Sequence, residues 1–104
     1  MFGYAKKTES SVTFLRNYAK KINSLLTFAE GNEDVTKKLV SVSEAFTFTV
    51  APPENRSVKK CQKDIEALYE KLYALLREDE WVQKEALDII RDIEHKLGEL
   101  GSYR

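Results

Sequence analysis

Cys61 and His95 each occur once in the chain, and they carry the side chains most often used as nucleophile, general base or metal ligand. Brought together they would form a thiol–imidazole pair, or half of a metal site completed by carboxylates. Their spacing argues against both. No Cys-x-x-Cys, His-x-x-x-His or Glu-x-x-His sets two ligands on one helical face. Lys59 and Lys60 would favour a Cys61 thiolate, yet Cys61 falls on an apolar helical face, where cysteine acts as a small hydrophobe. His95 falls on a polar face near a helix C-terminus, where a cationic ring suits the dipole. A core role for Cys61 and a surface role for His95 are expected, and no catalytic, cofactor-binding or metal-ligating residue is assigned.

The other reactive types point the same way. A catalytic carboxyl needs a raised pKa, hence burial in a pocket, but Glu70, Glu80, Glu85, Asp92 and their neighbours fall on polar faces. No glycine-rich phosphate loop, Gly-x-Ser-x-Gly or kinase signature is present. No cofactor is expected.

The cations include four lysine doublets, Lys6-Lys7, Lys20-Lys21, Lys37-Lys38 and Lys59-Lys60. Arg16, Lys20 and Lys21 form the candidate basic patch, a possible contact for phosphate or an acidic partner. Lys plus Arg is 17 and Asp plus Glu is 17, a formal net charge of zero. A nucleic-acid binder needs a basic stripe to displace counterions, so nucleic acid is not the expected partner.

Aromatic side chains on otherwise polar faces are typical interface anchors. Tyr69, Tyr73 and Trp81, with Leu87, make up the candidate interface. The same residues can instead pack against neighbouring helices.

These residues must be positioned by helices. With only four glycines and two prolines, the sequence has few breaks. Leu15, Tyr18, Ile22, Leu25 and Ala29 recur at helical steps and predict a helix over about residues 10–30, capped by Ser10 or Ser11 and ended by Gly31. Asn32 is the expected N-cap of a second helix, about 33–48, carrying Val35, Leu39, Val42 and Phe46. This helix frays near Phe48 and leaves Val50 to pack as an extended residue. Pro52 and Pro53 define a loop over 51–56. Beyond Ser57, an N-cap candidate, apolar residues repeat from Val58 to Leu100, and Gly98 and Gly101 close the run.

In heptads from Val58, Asp79 alone breaks the coiled-coil-like seam. One rod from Ser57 to Leu97 would span roughly 60 Å and need a second protomer to cover it. The preferred reading places Asp79 as an N-cap and splits the run into helices of about 57–78 and 80–97. Tyr69, Leu76 and Ile90 widen the stripe beyond a two-stranded seam, as bundle helices require.

The expected fold is thus all-α: one domain over 1–104, an antiparallel up-down bundle of four helices. The alternative has three helices, the last long and paired in a dimer. One cysteine excludes an intrachain disulfide. With no signal-peptide pattern and no membrane span, a cytoplasmic location and no membrane partner are expected. The expected function is a non-catalytic protein–protein interaction module that binds a protein partner or itself as a homo-oligomer, a homodimer included. The alternatives are a small regulator contacting nucleic acid, or a thiol or metal protein using Cys61 and His95.

Overall fold

A computed structural model describes residues 2–103, with side chains described from residue 10 onward. The Lys6-Lys7 side chains therefore lie outside the described residues. Four helices form: α1 (Phe2–Ser24), α2 (Glu33–Phe48), α3 (Arg56–Leu76) and α4 (Gln83–Ser102), with a 3₁₀ segment over Leu25–Ala29. No strand occurs among the described residues. The all-α, four-helix expectation holds. The chain leaves the helix over residues 77–82, so the single C-terminal rod does not form.

Local chemistry explains the boundaries. Gly31 takes φ +91°, the left-handed region that favours glycine, and reverses the chain. Asn32 Oδ1 then accepts the Val35 N–H at 3.1 Å, while Glu33 and Asp34 sit at the positive end of α2. Asn55 Oδ1 accepts the Val58 N–H at 2.9 Å, so Asn55, not Ser57, caps α3.

Several expected limits need correction. The first helix begins near residue 2 rather than 10, leaving Ser10 and Ser11 inside it; Ser11 is fully buried. Its last turns tighten to 3₁₀ over Leu25–Ala29. The third helix stops at Leu76. The fourth starts at Gln83, with Val82 at the N-cap and no side-chain cap bond. Asp79 belongs to the turn, which lets Trp81 fold back half-buried against the core. Gly98 and Gly101 lie within α4, which runs on to Ser102 because Leu100 is fully buried beneath it. Val50 does not pack; it is exposed.

In α3 the buried stripe reads Val58, Cys61, Ile65, Tyr69, Leu72, Leu76. Leu68 and Leu75, core positions in a heptad count, are only half-buried. The helix follows the 3.6-residue period of a straight helix instead of the 3.5-residue supercoil.

α1 packs on α2, α3 on α4, and α2 on α4, which leaves α2 and α3 on opposite corners. Asn32 Nδ2 donates to Gln83 Oε1 at 3.0 Å, and Gln83 Nε2 to Asp34 Oδ2 at 3.2 Å. α2 and α4 therefore start at one level and run parallel, and the segment between α2 and α3 crosses the end of the bundle. The core gathers side chains from all four helices, with Phe46, Ile65, Leu72 and Ile93 fully enclosed. Burying each such side chain contributes about 1.5–3 kcal/mol.

Candidate functional site

The residues with reactive chemistry are placed apart or sealed. Cys61 faces inward between α3 and α4, 1% exposed, and its Sγ donates to the Lys96 carbonyl at 3.2 Å. Burial, with Glu99 nearby, raises the thiol from 9.0 to about 11. A thiol so protonated is a poor nucleophile at neutral pH. His95 is exposed on α4, beside a surface hollow also lined by Asp64, Leu68 and Lys96 but not by Cys61. The two are not gathered into one site. No three His, Cys, Asp or Glu among the described residues are placed to hold a metal. Lys96 Nζ instead pairs with Asp64 at 3.1 Å and, chiefly by that hydrogen bond, holds its carboxyl below the usual range.

The basic trio divides between two faces. Arg16 and Lys20 border a hollow of 410 Å³ between α1 and α2, floored by Leu15, Ala19 and Phe46. Lys21 turns the other way: its Nζ lies 4.8 Å from the Tyr18 ring and 5.5 Å from the Tyr69 ring, a cation–π contact toward α3.

The aromatic candidates are used within the bundle. Tyr69 is buried, 5.5 Å and edge-on to Tyr18, and stacks on Tyr73 at 6.0 Å. Tyr73 meets Phe28 edge-on at 6.0 Å, with the Arg77 guanidinium over its ring at 5.2 Å. Trp81 and Leu87 are half-buried and pack against the core. Tyr18 is raised to about 12, first by burial and then by Glu66 and Glu70.

Large apolar side chains stay exposed at Val12, Phe28, Val50 and Val82, and two more, Val40 and Phe48, share the outer face of α2. Val35, Leu39, Val42 and Phe46 point into the core. At 100° per residue, Glu33, Lys37, Val40, Ser41, Glu44 and Phe48 fall within one arc on the side directly opposite. Every one of them is exposed. Phe48 is 79% exposed and Val40 39%. Neither Lys37 nor Glu44 has an ion-pair partner among the described residues. Beside the start of α2, Leu26, Gly31 and Glu33 line an open hollow of 990 Å³.

Sequence reasoning missed this face. The signal was present, because the steps that place Phe46 inward place Phe48 outward.

No protein-family model, curated protein or solved structure matches the chain.

Proposed function

We propose that the protein is a non-catalytic, cytoplasmic helical interaction module that binds a protein partner or a second copy of itself. The observation that carries this reading is the outer face of α2, where a phenylalanine 79% exposed and a valine 39% exposed stand opposite the core side of their own helix. Helix faces of this kind gain burial by docking on another apolar surface. A second support is that the one thiol is enclosed and held protonated.

The test is capture on immobilised protein from its host's extract, the protein itself counted among the possible captives. A Val40→Ser/Phe48→Ser variant serves as control. The expected result is at least one protein retained by the wild type and lost with the variant. Identical captures from both would refute an interaction role for this face.

A further inference from the structure

We propose that the outer face of α2 pairs antiparallel with the same face of a second copy, around a two-fold axis between Val40 and Ser41. The inference rests on the interaction-module reading and names the partner.

The argument is the order of residues along the stripe. A two-fold axis sets residue i of one copy opposite residue j of the other, and j opposite i. With the axis between positions 40 and 41, Val40 meets Ser41 at the centre. One turn further out, Lys37 meets Glu44, and the reciprocal pair forms on the other side. At the ends, Phe48 reaches the level of Glu33.

The charged row is complementary, and the other two leave room for the side chains they bring together. The centre joins an exposed aliphatic to a small side chain. The next row joins a cation to an anion, both lacking ion-pair partners among the described residues. In the outer row the projecting Phe48 ring comes to the hollow of 990 Å³ lined by Leu26 and Gly31 and otherwise by polar side chains, Glu30, Glu33 and Asp34 among them. Gly31 has no side chain to obstruct the ring, and nothing lies within 4 Å of where its Cβ would be. A parallel arrangement about an axis along the helices would set Lys37 against Lys37 and Glu44 against Glu44, so charge selects the antiparallel one. The formal net charge of zero adds no overall repulsion.

The strip is one helix long, about 24 Å for 16 residues. At about one helix diameter, ~10 Å, in width it covers roughly 240 Å², well below a standard interface of about 800 Å² per partner, so the pair forms reversibly and responds to concentration.

Sedimentation velocity from micromolar to millimolar protein tests this, with circular dichroism confirming that each variant stays helical. The wild type is expected to shift from monomer to dimer across the range. Lys37→Glu and Glu44→Lys should each weaken association at least tenfold, because each sets like charges face to face. The double variant Lys37→Glu/Glu44→Lys should recover it, and an equimolar mixture of the two single variants should form a heterodimer. Phe48→Ser should weaken association without loss of helix. A wild type still monomeric at millimolar concentration overturns the pairing. So does a dimer indifferent to the charge swap, an outcome that leaves the interaction-module reading untouched. That reading fails separately, on the capture result.

Discussion

At the residue scale, the thiol that would otherwise invite a catalytic reading is a packing group with a measurable pH signature. Its folded pKa of about 11 lies above its ordinary 9.0. Its contribution to stability is therefore fully present below pH 9 and is lost as pH rises through 11, because the unfolded chain releases the proton first. Denaturant titrations of the wild type should show a fall in unfolding free energy over that window, and Cys61→Ala should show a smaller one. Thiol labelling of the native protein at pH 8 should be far slower than in denaturant. The inward placement of Cys61 was legible in the sequence, because it shares a helical face with Val58 and Ile65. The division of Arg16 and Lys20 from Lys21 was only partly legible. It depends on which neighbour each helix flank meets, and Lys21 lies over two rings from different helices.

At the scale of elements, the caps explain both the success and the failure of reading limits from sequence. Asn32 and Asn55 each accept a backbone N–H from three residues on. Asn32→Ala and Asn55→Ala should each cost about 1 kcal/mol in denaturant unfolding. The start of α4 was misjudged because Asp79 has the right chemistry at the wrong place: the turn must carry Trp81 back to the core before the helix can begin. The result is a helix without a side-chain cap, at an exposed valine. Val82→Ser should therefore raise stability by roughly 0.5–1 kcal/mol, read as an upward shift in melting temperature. The glycines of α4 were misread as stops for a similar reason, since the burial of Leu97 and Leu100 holds the helix through them. A Cβ at Gly98 would meet nothing within 4 Å. Gly98→Ala should stabilise by about 0.5–1 kcal/mol, whereas at Gly101 the added methyl would press on Thr49 Cγ2 at 3.3 Å and should gain less.

At the scale of the whole molecule, helix number and class followed from periodicity, but the arrangement of corners did not. Which helices become neighbours depends on side-chain bulk at seams far apart in sequence. α1 and α2 approach closely enough for Ser43 Oγ to donate to the Ala19 carbonyl at 2.9 Å, and α3 and α4 closely enough for the Cys61 contact with the Lys96 carbonyl at 3.2 Å. Between α1 and α3 the contact passes mainly through rings, from Phe14 and Tyr18 to Tyr69 and Tyr73, with one long hydrogen bond from Gln62 Nε2 to Ser11 Oγ at 3.5 Å. Tyr18→Ala should cost about 3–5 kcal/mol, as large aromatic truncations in cores do, measured by thermal or denaturant melting. This asymmetry gives the molecule the mechanics of a book. The line where α2 lies along α4 is the spine, and the two hairpins are its covers. The covers meet at an edge closed by flat plates, where no backbone hydrogen bond joins one cover to the other among the described residues. Local opening is therefore expected first along that edge, and backbone amides of α1 and α3 beside the rings should exchange with solvent faster than those along the α2–α4 line.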